Sequence, residues 1–145
     1  MKTKFIRAIL LSLIITKTFA GGNNTNIYQP WIEYANRMKT CQTDQFILPE
    51  PNYSGLTAAE KEGLRISSNL QIYKIHGSEN GKCIVSNKDQ PAPGTINIET
   101  QYCDFSKEDI QTIVSFAEDV AKNGQSNTYV REYVNVLKKS CTLVY

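Results

Sequence analysis

His76 is the only histidine in the chain, so any reaction that needs an imidazole, as base, acid or metal ligand, has to pass through it. It stands directly before Gly77 at the mouth of a turn-forming segment, and no Gly-x-Ser-x-Gly or comparable nucleophile setting accompanies it. A solvent-facing turn residue is the simplest reading, and a small hydrolase using His76 is the alternative. Cys41, Cys83, Cys103 and Cys141 contain no Cys-x-x-Cys spacing, so no metal site and no cofactor are expected. The acidic pairs Glu108-Asp109 and Glu118-Asp119 invite a glycosidase reading, which needs two carboxylates about 5 to 10 Å apart. Adjacent residues on a helix point in different directions, so these acids read as solvated surface.

Four cysteines in a chain that begins with an export signal imply disulfides rather than catalytic thiols. Lys2, Lys4 and Arg7 supply a positive start, Ala8 to Ile15 a short apolar run, and Thr18-Phe19-Ala20 the small residues at which a signal peptidase cuts. The apolar run falls short of the roughly 20 residues needed to span a bilayer. Residues 1–20 are therefore read as a signal peptide and 21–145 as one mature domain without a transmembrane segment, placed in the periplasm or secreted. The leader carries four basic residues and no acid, so its removal turns a formal charge of +2 into −2. With no basic stripe left, nucleic-acid binding is not expected.

Tyrosine is enriched, with eight in the chain, and it suits recognition because it buries apolar area while keeping a hydroxyl for a partner. Most tyrosines are expected in the core and at its boundary. Tyr28, Trp31, Tyr53 and Tyr145 lie in or near segments with little regular pattern and are the candidates for an exposed contact surface.

The elements that must position these residues follow from periodicity. Pro30 suits a first helical turn, and Trp31, Tyr34, Ala35 and Met38 recur on one helical face, which predicts a helix over 30–40. Residues 42–55, with Pro49, Pro51 and Gly55, read as an irregular crossing. Thr57-Ala58-Ala59-Glu60 has capping-box spacing before a short helix that Gly63 interrupts. Leu70 to Val85 form a hairpin around Asn80-Gly81, and Thr95 to Tyr102 a third strand. Ser106 caps a helix whose stripe of Ile110, Ile113, Val114, Ala117, Val120 and Ala121 runs to Gly124. A last segment, with Tyr129, Val130, Tyr133, Val134 and Leu137, has helical spacing, though its β-branched and aromatic residues also fit a strand. The expected class is α+β: a small three-stranded antiparallel sheet packed with about three helices and stapled by two disulfides.

Four cysteines allow three connectivities. A turn centred on Pro93 sets Cys83 opposite Cys103, close enough to bridge, and leaves Cys41 to join Cys141. The argument depends on register, because a slip of one residue undoes it.

The leader, the aromatic first helix, the hairpin with Gly81-Lys82-Cys83, then Gln101-Tyr102-Cys103 and a capped helix together resemble small exported proteins of intracellular gammaproteobacteria. That resemblance implies a type II secretion substrate or a periplasmic resident, and it transfers no functional residue. The resulting expectation is a non-enzymatic binding module, an effector in its most specific form, that takes a host or envelope protein or a surface glycan.

Overall fold

A computed structural model describes residues 26–61, 64, 70–95 and 98–144. Residues 1–20, read from sequence as a signal peptide, lie outside the described residues, as do Gly63 and Tyr145. The chain is α+β; the described residues form five strands in a simple antiparallel meander, ordered β1-β2-β3-β4-β5, with helices on one face. Helix α1 spans Pro30–Met38, and strand β1 Asp44–Leu48. The short helix α2 covers Ala58–Lys61, strand β2 Gln71–Glu79, strand β3 Lys82–Asp89 and strand β4 Thr100–Phe105. Helices α3, Lys107–Asn123, and α4, Val130–Ser140, precede the closing strand β5, Cys141–Val144.

Two strands exceed the three expected, and both sit at the edges of the sheet. β1 arises inside the segment read as an irregular crossing. β5 begins at the last residue of a helix, without any turn residue to mark the change: Cys141 is both the C-cap of α4 and the first strand residue. The last segment is helical, because its apolar positions match one face of a 3.6-residue period and bury Val130, Tyr133, Val134 and Val136.

The strands alternate in burial, as a sheet with one covered face must. Leu48 of β1, Tyr73 and Ile75 of β2, Cys83 and Val85 of β3, and Cys103 and Phe105 of β4 point toward the helices. Trp31 stands at the middle of this core with no exposed surface. Its indole meets Tyr34, Tyr73 and Phe116 edge-on at centroid distances of 5.6, 5.5 and 6.1 Å, and its N–H donates to the Pro49 carbonyl at 2.9 Å. Phe116 stacks in turn on Tyr133 at 3.8 Å. Burial raises the pKa of Tyr34, Tyr53 and Tyr133, so these phenols stay protonated.

Turn chemistry follows the sequence closely. Asn80 and Gly81 both take positive φ, 52° and 77°, the pattern of a tight hairpin turn. Thr57 and Glu60 form the expected capping box, with Glu60 accepting from the Thr57 N–H at 2.8 Å. Gly124 ends α3 at φ 72°, and a Cβ there would stand 2.5 Å from the Tyr28 ring, so both backbone and space require glycine.

The disulfides correct the expected pairing: Cys41 joins Cys83, and Cys103 joins Cys141. The register explains the difference. Cys83 faces Phe105, and Cys103 faces Val85, two residues away from a register centred on Pro93: the expected turn forms, with the Thr95 N–H donating to the Ala92 carbonyl at 3.2 Å, but the ladder ends at Lys88 and Thr100, so the turn does not set its register. The cysteine directly opposite Cys103 is Cys141, on β5. Cross-strand bridging was the right device, applied to the wrong neighbour.

Asp109 locks α3 to α4. Its side chain, 4% exposed, accepts from the Ser106 main-chain N–H at 3.0 Å, the Lys139 ammonium at 2.6 Å and the Ser140 hydroxyl at 3.1 Å. Burial works to raise its pKa, but Lys139, Ser106 and Ser140 together outweigh burial and hold the carboxyl below its usual range. A depressed native pKa contributes stability that is fully present above the unfolded value of about 4 and is lost as pH falls through the native one. Asp109→Asn is expected to lower unfolding stability by about 1 to 3 kcal/mol at pH 7, where it removes charged hydrogen bonds. In urea titrations at pH 3 the gap between variant and parent narrows; a gap independent of pH would contradict this assignment.

Candidate binding surface

The face of the sheet opposite the helices carries no described helix, and the register shows which side chains share it. One row crosses all five strands as Ile47, Ile72, Lys88, Thr100 and Val144; the next runs Gln45, Lys74, Ser86, Tyr102 and Thr142. Neighbouring strands lie about 4.8 Å apart, so residues in these rows touch or nearly touch across the sheet. Ile47 and Val144 are each 48% exposed and Tyr102 is 44% exposed, while Leu70 extends the apolar end just before β2. Ile72 and Ile84 are half-buried among them. Lys74 and Lys88 give the face a positive character, and Asp104 is matched by Lys82 at 3.1 Å.

His76 also lies on this face, put there by a bulge. The β2–β3 register shifts between Ile75 and Gly77, leaving His76 unpaired, and Gly77 absorbs the irregularity at φ 106°. The imidazole Nε2 sits 2.7 Å from the Ser86 hydroxyl, and the ring lies 6.4 Å from that of Tyr102. Partial burial, then the nearby Lys74 ammonium, lowers the His76 pKa and favours the neutral ring. A shallow hollow of about 340 Å³ opens beside it, lined by Gly77, Ser78, Glu79, Ile84 and Tyr102.

The residues singled out from sequence do not form an exposed surface among the described residues. Trp31 is in the core; Tyr53 stacks on Phe116 with rings nearly parallel at 6.4 Å, on the same side of the sheet. Tyr28 is half-buried against Gly124 at the end of α3. Tyr145 falls outside the described residues, one position beyond Val144. The aromatic residue on the open face is Tyr102, whose signal was its place beside Cys103: a cysteine committed to the covered face forces its neighbour outward. Ile47 and Val144 carried no such signal while β1 and β5 went unread.

Among the described residues no group of three or more histidine, cysteine or acidic side chains is placed to hold a metal ion, and all four cysteines are oxidised. No described helix is long and apolar enough to cross a membrane. Comparison with known protein families, curated proteins and solved structures finds no match.

Proposed function

We propose that this chain is an exported binding protein that holds a protein partner on the open face of its sheet. The observation that carries this reading is the exposure of four large apolar side chains on one face of the sheet, Ile47 and Leu70 toward the β1 edge and Tyr102 and Val144 toward the β5 edge, with Lys88 and Thr100 between them. Exposed apolar side chains gathered on one face, rather than scattered, mark an interaction site. Aliphatic residues dominate and a single tyrosine stands among them, which favours a protein partner over a glycan. Two disulfides support export to an oxidising compartment, the periplasm or the medium.

The contact between His76 and Ser86 favours a second reading, as a Ser-His hydrolase. Ser86 lies mid-strand in β3, with Lys74 on one side and Tyr102 on the other, so its backbone is committed to the ladders and offers no pair of N–H groups to an oxyanion. One experiment separates the readings. A photo-crosslinking amino acid at position 102 is expected to capture a protein in the producing culture, and the same group at the exposed Lys122 is not. Equal capture at both positions, or none at 102, would remove the open-face reading; labelling of Ser86 by a fluorophosphonate would replace it with the hydrolase.

A further inference from the structure

A second surface lies at the edge of the sheet, distinct from the open face although Ile47 borders both. β1 is an edge strand, so alternate residues turn their main-chain groups away from β2. The Gln45 N–H identifies which ones: it donates to the Asp44 carboxylate at 2.8 Å rather than into the ladder. By antiparallel alternation Gln45 and Ile47 face outward, and Asp44, Phe46 and Leu48 pair inward. The next outward carbonyl, that of Pro49, is taken by the Trp31 indole. That closes the edge at one end, leaving an open run of about three residues.

Beneath this edge, on the helix side, a groove of about 610 Å³ runs between β1 and α1. Ile27, Pro30, Ile32 and Phe46 supply its apolar lining, and Glu33 and Arg37 its charged wall. A strand added to β1 would send every second side chain to the side of Phe46, into this groove. Its backbone would meet the Gln45 carbonyl and both main-chain groups of Ile47, the Gln45 N–H being held by the Asp44 carboxylate. The exposed Glu33 carboxylate favours a lysine or arginine beside the apolar residues, whereas Asp44 is already held by Arg37 at 3.3 Å. We infer that the β1 edge and the α1 groove together form a strand-addition site for an extended peptide with apolar side chains at alternate positions and a flanking basic residue.

A second copy of this chain fits less well. Its own β1 would present Asp44, Phe46 and Leu48 to the groove, and of these Leu48 is fully buried in its own core and Asp44 is bound to Arg37. Only Phe46 would enter.

The test uses the mature protein and a set of hexapeptides, Lys-Φ-Thr-Φ-Thr-Φ, in which Φ is valine, isoleucine, leucine or phenylalanine. At least one member is expected to bind with saturable shifts of the Gln45 and Ile47 amide signals. N-methylation of its backbone, Ile47→Pro and Ile32→Asp are each expected to weaken it tenfold or more. Ile47→Pro removes an outward N–H and leaves the β2 ladder intact, so it separates loss of edge pairing from loss of fold. Tyr102→Asp is expected to leave peptide affinity unchanged, which distinguishes this site from the open face. The proposal is overturned if no peptide saturates at millimolar concentration, if binding survives Ile47→Pro, or if β1 proves to be the contact of a dimer.

Discussion

Reducing both disulfides removes about 8 kcal/mol of stability, most or all of what a domain of this size holds in reserve. The loops they close are nearly equal, 42 and 38 residues, and the loss of chain entropy on closing each corresponds to about 4 kcal/mol. One loop ends at Cys83 before the other begins at Cys103, so neither crosslink restricts the segment the other closes and the two effects add. Dithiothreitol without denaturant is therefore expected to abolish the near-ultraviolet circular dichroism that the packed aromatics produce. Paired replacements separate the contributions: Cys41→Ala with Cys83→Ala, and Cys103→Ala with Cys141→Ala, should each lower urea-derived stability by about 4 kcal/mol from entropy alone. Their surroundings then break the tie. Cys83 and Cys41 are both buried, hence their replacement leaves a void on each side of the bridge, whereas in the second pair only Cys103 is buried and Cys141 lies at the rim on β5. The first pair is expected to cost more, and the second to release β5 locally, seen as faster amide exchange at Thr142 and Leu143. A loss below about 1 kcal/mol for either pair would mean the crosslink constrains little of the unfolded chain.

The pairing itself shows what sequence could and could not deliver. Helix α3 was legible because its signals are local: Ser106 and Asp109 satisfy each other's amides, Gly124 ends the last turn, and the stripe between them has one period. The β2–β3 hairpin was legible for the same reason, through Asn80 and Gly81. β1 and β5 were not, because five and four residues hold too few alternations to reveal a period, and each forms only by pairing with a strand far along the chain or already built. The disulfide register failed with them, since Cys103 could not be matched to Cys141 while β5 was unrecognised. The candidate surface inherited the same gap. Its two most exposed aliphatic positions on the open face, Ile47 and Val144, belong to those edge strands, so the patch exists only once the sheet is complete. Trp31 erred in the opposite direction: near a chain end and a proline it reads as exposed, yet it shares a helical face with Tyr34, Ala35 and Met38, and that periodicity was the better guide.

Trp31→Ala is accordingly expected to act on folding, with a loss of about 3 to 5 kcal/mol, and not on recognition. The indole contacts three aromatic rings from α1, β2 and α3, so truncation opens a void where helices and sheet meet, and rings held edge-on cannot collapse into it without breaking their own contacts. It also strips the Pro49 carbonyl of its donor. Trp31→Phe isolates that second effect, because phenylalanine retains much of the ring contact and forfeits only the N–H; about 1 to 3 kcal/mol is expected. The chain has one tryptophan, so unfolding of both variants is followed by circular dichroism rather than by tryptophan fluorescence. The hydrogen bond joins α1 to the residue that follows β1, hence its loss should loosen the edge strand first. Amide exchange at Phe46 and Leu48, whose N–H groups pair inward, is expected to accelerate in Trp31→Phe before the global transition moves, while that in β3 stays slow. If Trp31→Ala folded with parental stability yet abolished crosslinking from position 102, the residue would be a contact after all, reached through the open face rather than buried beneath it.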